Sequence, residues 1–331
     1  MIICICALLT LLAAGHILAQ GVGTPAPAAA VCVDLHKTAM AQLANGKIVA
    51  GELAVSAFLV SADDHTLEVC AGLVLNDMAA FLSVAGRAAD AERLAERSVR
   101  ILEKAYSPDD VMLLHPLQVL AAARFELGKT ARAREALKKM QSIRAERPVD
   151  QALVHGMAAA LLEREGKRPE AESEYLAALR AWEDAGKGES AEAATVLNGL
   201  GSLYVEWGRL TESQQVLDRA LAIFSSAKDT VPHDYIKLHQ VRGVLHAWQG
   251  AWREAEDDFR EALSVSDREP WVDPIALRLL LNRYAYVLHK NHHGREARSI
   301  EKRAAALHTG GTSTAIVDIT ELFPKPKPSK K

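Results

Sequence analysis

The stretch Asn198-Gly199-Leu200-Gly201-Ser202-Leu203-Tyr204, followed by Gly208, Ser213, Leu217 and Ala220, decides the fold. Gly201 and Ser213 are small residues on opposite sides of Gly208. Leucines recur around them at helical spacing. The pattern reads as a helix, a tight turn at Gly208 and a second helix. Helix axes close to roughly 8–10 Å only where the contacting side chains permit it, so a small residue on each helix marks their approach. A glycine between them suits a helix C-cap, where φ is positive and a Cβ is penalised.

The frame returns seven times. Its anchors are Gly46, Gly86, Gly128, Gly166, Gly208 and Gly250, with His292 in the seventh place. Seven residues before each anchor stand Ala39, Ala79, Ala121, Ala159, Gly201, Gly243 and Ala285; five after stand Gly51, Ala91, Ala133, Ala171, Ser213, Ala255 and Ala297. An apolar stripe accompanies them. Eleven before the anchors it holds Leu35, Leu75, Leu117, His155, Leu197, His239 and Leu281; five before, Ala41, Phe81, Ala123, Leu161, Leu203, Leu245 and Val287; thirteen after, Leu59, Val99, Gln141, Leu179, Leu221, Leu263 and Ala305. Steps of about 40 residues between helix pairs mean a solenoid, in which no repeat buries its face alone.

On these residues the chain resembles the tetratricopeptide repeat family. The 42-residue steps and openings such as Leu75-Asn76 and Leu197-Asn198 are similar to the longer repeats of kinesin light chains. The resemblance implies an all-α, right-handed α-solenoid of about seven helix pairs over 32–308. Thr38, Gln42 and the missing seventh glycine depart from the family pattern. Repeat boundaries are expected at Ser107–Asp110, Arg147-Pro148, Gly186–Gly188, Asp229–His233 and Glu269–Pro274, where proline and glycine interrupt helices.

Residues 1–19 hold no Lys, Arg, Asp or Glu, and Ile2–Ala14 is almost wholly apolar yet too short to span a bilayer. This reads as a signal peptide with cleavage at Ala19-Gln20, followed by a Pro/Ala-rich spacer over 20–31. The expected location is periplasmic or secreted, without stable membrane insertion once the signal is removed; an uncleaved N-terminal membrane anchor is the alternative. Residues 309–331 read as a basic Pro/Lys tail, with Ala315–Ile319 as a strand-like run. Two cysteines remain after the signal, Cys32 and Cys70. Consecutive first helices lie side by side in the resembling architecture, so the pair is expected in a disulfide; two free buried thiols are the other reading.

The 39 basic and 42 acidic side chains are interspersed, for a formal charge of −3, and no basic stripe offers a nucleic-acid footprint. No phosphate-binding glycine loop, His-Glu-x-x-His or Cys-x-x-Cys occurs. Ser225–Lys228 and Ser299–Lys302 match Ser-x-x-Lys but lack the companion motifs of acyl-enzymes. His289, His292 and His293 share a helix face without an acidic residue to complete a metal set. No cofactor, metal or catalytic residue is expected. Trp207, Trp248, Trp252 and Trp271 cluster late in the chain, as inter-repeat packing or an exposed patch.

One column stands apart. Ten residues before the anchors are His36, Asn76, Gln118, Gly156, Asn198, Gln240 and Asn282, five of them amides. Each lies about 100° round the helix from the core stripe. In tetratricopeptide proteins this position lines the concave groove, so the resemblance implies a peptide-binding role for Asn76, Gln118, Asn198, Gln240 and Asn282, with Ser202, Glu206 and His289 as groove neighbours. An amide offers a donor and an acceptor, as a peptide backbone does. The other reading is a structural ladder, in which these amides bond neighbouring helices. The expected function is a non-catalytic scaffold or adaptor for a protein or peptide partner. Two alternatives are a cytoplasmic regulatory sensor switched by a small peptide and a helper subunit of an enzyme complex.

Overall fold

The computed structural model describes residues 26–61, 65–226, 232–269 and 272–307. The expected signal peptide, the strand-like run, the basic tail and Trp271 lie outside them. Among the described residues there are fourteen α-helices and no strand. In chain order they are α1 (Ala26–Ala44), α2 (Ile48–Ser61), α3 (His65–Val84), α4 (Ala88–Ala105), α5 (Leu114–Glu126), α6 (Thr130–Ser142), α7 (Pro148–Arg164), α8 (Arg168–Asp184), α9 (Ala191–Trp207), α10 (Leu210–Ser226), α11 (Pro232–Gln249), α12 (Trp252–Ser266), α13 (Pro274–Lys290) and α14 (Gly294–Ala306). Odd-numbered helices open each pair and even-numbered ones close it.

The anchors end the odd helices. At Gly208 φ is 79°; its N–H bonds the Val205 carbonyl at 3.1 Å, and the Arg209 N–H bonds that of Tyr204 at 2.9 Å. This closes the orphan carbonyls of α9 through a left-handed residue, which glycine adopts without penalty. His292 adopts the same conformation, φ 64°, and the His293 N–H bonds the Leu288 carbonyl at 2.8 Å. The geometry therefore survives loss of the glycine. Two helix starts use side chains: Ser190 accepts from the Ala193 N–H, and Asp273 from those of Ile275 and Ala276, with Pro274 opening α13.

Contacts divide the chain into two units, Met1–Met157 and Ala158–Lys331, the division falling within α7. In the first unit α3 packs on α1, α2, α4 and α5. Its core includes Leu43, Leu75, Met78, Leu82, Leu94, Leu102 and Leu117. By length and composition α3 could cross a membrane, but ten of its residues are buried in this core. In the second unit α9 packs on α8, α10 and α11. Its core includes Leu197, Leu203, Leu217, Phe259, Leu281, Tyr284 and Leu288.

All fourteen small positions are buried. A Cβ on Gly201 would stand 2.4 Å from Leu217 Cδ2, and one on Gly243 2.8 Å from the Phe259 ring. The helices meet where the small residues allow it.

Four expectations need correction. Helix α1 begins at Ala26, inside the stretch expected as a spacer over 20–31, because alanine favours helix and proline is tolerated in a first turn. Gln141 and Ala305 are exposed. Their helices end one residue later, and Met140 and Ala304 occupy the buried place instead. Ala41 is also exposed. Among the described residues no pair precedes α1 to cover that side, and Ala39 and Leu43 carry its core contacts.

Candidate functional site

The amide column behaves differently in the two units. In the first, Asn76 is 3% exposed, and its Nδ2 donates to His115 Nδ1 at 2.8 Å, tying α3 to α5. The adjacent Asp77 reaches His36 Nε2 at 3.3 Å, tying α3 to α1. His115 keeps a solvent-exposed edge, yet desolvation by the protein around it lowers its pKa against the pull of Asp77. Gln118 is half-buried and makes no side-chain hydrogen bond to a described residue. Here the column partly serves as an interhelical ladder.

In the second unit no such ladder forms among the described residues. Asn198 is 8% exposed, and its buried Oδ1, like that of Asn76, has no hydrogen-bond partner among the described residues. Gln240 and Asn282 are half-buried, and neither is hydrogen-bonded to a described residue. Asparagine is a poor interior helix residue, because its side chain competes for the backbone. Asn198 and Asn282 thus carry that penalty with no side-chain hydrogen bond to a described residue to offset it.

Ser202 and Glu206 follow Asn198 at successive i+4 steps on α9, half-buried and exposed respectively. They stack on one helix face, about 6 Å apart along the axis at each step. Beside them stands Glu163, near the end of α7. The Tyr175 hydroxyl donates to Glu163 Oε2 at 2.6 Å. Burial pushes the Glu163 carboxyl up to about 7. The Tyr175 and Ser202 hydroxyls pull it partly back, and the charge of Glu206 adds to the rise. Among the described residues no lysine or arginine forms an ion pair with Glu163 or Glu206.

His289 lies elsewhere in bonding terms. Its Nε2 meets Glu301 Oε1 at 2.9 Å, across the turn to α14. His293 Nδ1 meets Glu256 instead, and His292 forms the turn, so the three histidines take separate roles. Among the described residues no group of His, Cys, Asp and Glu is arranged to hold a metal ion. Cys32 on α1 and Cys70 on α3 are joined in a disulfide, with Cα atoms 5.8 Å apart.

Glu163 and Tyr175 escaped the sequence reading, though a signal was present. Three before the anchors and nine after, four repeats pair apolar residues: Leu43 with Val55, Phe125 with Leu137, Val205 with Leu217, Ala247 with Phe259. Two repeats pair polar ones at those same places, Glu163 with Tyr175 and His289 with Glu301, and both pairs are hydrogen-bonded. A further polar knot joins α11 and α12. Asp258 is buried and receives His239 Nδ1 at 2.8 Å and His246 Nδ1 at 2.7 Å. Burial pushes Asp258 up, but the two histidine bonds and Arg242 outweigh it and hold the carboxyl below its usual range.

Residues 71–146 and 150–226 match the tetratricopeptide repeat family model. No curated protein matches the sequence. Among solved structures, BtubC (BKLC) from P. vanneervenii is similar at 22% identity and TM-score 0.53, over 68% of this chain and 94% of that one. A Rap protein complexed with Competence and Sporulation Factor is similar at 14% identity and TM-score 0.57, over 83% and 76%. Aspartyl phosphate phosphatase F from Bacillus subtilis is similar at 12% identity and TM-score 0.58, over 85% and 72%. At these identities the likeness is one of fold.

Proposed function

Because this chain is built from tetratricopeptide repeats, we propose that it is a non-catalytic scaffold binding an extended segment of a protein or peptide partner. The binding face is that of α9, α11 and α13. One observation carries the reading: Asn198, Gln240 and Asn282 stand on successive first helices, and among the described residues their side chains make no hydrogen bond. An extended backbone supplies the N–H and C=O groups that such amides lack. A fold of this kind also binds a ligand in the Rap complex with Competence and Sporulation Factor.

The scaffold works outside the cytoplasm on this reading, periplasmic or secreted. The charge-free apolar start and the Cys32–Cys70 disulfide support export, since disulfides persist in oxidising compartments. A mature N-terminus near Gln20, read by mass spectrometry of the envelope or medium, is the expected result. An intact Met1 in the cytoplasm would favour a peptide-switched regulator instead, the reading that the Rap likeness supports.

The amide role is tested on an array of synthetic decapeptides. The full chain should retain a subset of them. The double variant Asn198→Ala, Asn282→Ala should lose that subset while its melting temperature stays nearly unchanged. Loss of the fold in the double variant would instead assign these amides a structural role.

A further inference from the structure

The second unit carries two carboxylates and an unsatisfied amide at one end of the proposed peptide face. Glu163 reaches it from α7 and Glu206 from α9, close enough for the charge of one to act on the other. Like charges in such proximity oppose each other's ionisation unless a cation joins them. The charge of Arg164 acts on Glu163, the smallest of the influences on it, and neither carboxylate is in an ion pair among the described residues. The larger offsets at Glu163 are two neutral hydroxyls, those of Tyr175 and Ser202. The Tyr175 ring is itself fixed, packed against Gly199 so closely that a Cβ there would meet it at 2.8 Å.

Asn198 is the independent observation. It lies one turn before Ser202 on the same face of α9, more than nine-tenths buried, and its Oδ1 accepts from no described residue. A buried carbonyl oxygen without a donor is destabilising, and native structures rarely leave one so. Asn198 Oδ1, Ser202 Oγ and the two carboxylates therefore form a run of acceptors along one edge. What they lack is a donor that carries positive charge.

We infer that this recess receives a cationic group of the bound segment, a lysine or arginine side chain or a free amino terminus. An ammonium has three donors and no acceptor, and a guanidinium five, which matches a lining of acceptors. The inference rests on the peptide-binding reading and adds the charge and the place of one ligand group. The two carboxylates bracket the cation, Ser202 accepts a further hydrogen bond, and the amides on α11 and α13 take the backbone beyond.

The test uses the full chain on a library of synthetic decapeptides with all residues equally represented, half with free and half with acetylated amino termini. Glu163→Gln and Glu206→Gln are compared with the unaltered chain, each with a circular dichroism spectrum to establish the fold. Enrichment of peptides with lysine or arginine at one position, reduced at least tenfold in either variant, supports a side-chain cation. Enrichment only of free amino termini, reduced likewise, supports an amino-terminal one. Enrichment of neutral or acidic peptides, or a basic preference unaltered in both variants, overturns the cation site and leaves the amide reading standing. Failure of the unaltered chain to retain any peptide overturns both. Should a glutamine variant fail to fold, Glu206→Ala, at an exposed position, supplies the comparison.

Discussion

The Ser213 hydroxyl donates to the Gly201 carbonyl at 2.9 Å, joining the two small residues of one repeat across α9 and α10. Both residues are buried there, and Leu217 closes over Gly201. A methyl group added at 201 would meet Leu217 Cδ2 at 2.4 Å and Cγ at 2.6 Å. Gly201→Ala should therefore destabilise the protein, although alanine is the better helix former. Overpacking costs about 1–3 kcal/mol, and helix propensity returns about 1 kcal/mol. A net loss of about 1 kcal/mol in urea unfolding is expected. An unchanged or raised midpoint would mean that the helices do not touch at this residue.

The seven turns allow a cleaner test of backbone strain. Gly128 has φ 70° and nothing within 4 Å of where a Cβ would stand, so Gly128→Ala probes conformation alone. It should lose about 1–2 kcal/mol. His292 holds the same conformation with a side chain, φ 64°. His292→Gly should gain about 0.5–1 kcal/mol, net of glycine's greater freedom in the unfolded chain. Differential scanning calorimetry should shift the two variants in opposite directions. Shifts in the same direction would contradict the left-handed geometry at one of them.

Much of this was legible because a solenoid repeats its physics. The small residues fall where helices touch in every repeat, so seven weak local signals share one phase. Surface ion pairs obey the phase too. An acid seventeen after one anchor meets a base eleven after the next in Glu103–Lys139, Glu183–Arg219 and Asp267–Arg303. The boundaries at Pro148, Pro232 and Pro274 were equally plain, since proline opens α7, α11 and α13. Side chains that break the phase were harder to read. The sequence marks Asn76 and Asn198 alike, yet the Asn76 Nδ2 reaches His115 while the Asn198 side chain bonds no described residue; the Oδ1 of both is unpartnered among them. Which residue stands across from an amide depends on neighbouring repeats, and the period does not carry that. His239 falls on the apolar stripe and is buried; Asp258, the partner it shares with His246, lies on a different helix.

The disulfide should matter locally. Cys32 and Cys70 close a loop with a sequence separation of 38, for which chain entropy gives about 4 kcal/mol. Repeat arrays unfold by nearest-neighbour units, so the loss on reduction should fall on α1 and α2 before the rest. Hydrogen exchange with and without dithiothreitol should show faster exchange in 26–61 and little change in 191–306. Uniform acceleration would mean that the first pair is coupled to the whole chain.

Glu163 should make stability depend on pH with an unusual sign for a carboxylate. Its pKa rises from an ordinary 4.5 to about 7 on folding, chiefly through burial and then through Glu206, against the Tyr175 and Ser202 hydroxyls and the charge of Arg164. Between those values the folded protein binds the proton and the unfolded chain does not. Stability from this group is therefore full below about pH 4.5, declines as pH rises through 7, and is flat above. Integrated over the interval, the loss is about 3 kcal/mol as an order of magnitude. Glu163→Gln removes the charge that burial penalises. The variant should match the unaltered chain near pH 4.5 and exceed it at pH 8 by several degrees in melting temperature. A bound cation reverses the balance, because it favours the ionised carboxylate; a retained basic peptide should bind more tightly at pH 8 than at pH 5.5 and narrow the gap between the two proteins. Parallel melting curves across this range would place Glu163 in solvent with an ordinary pKa.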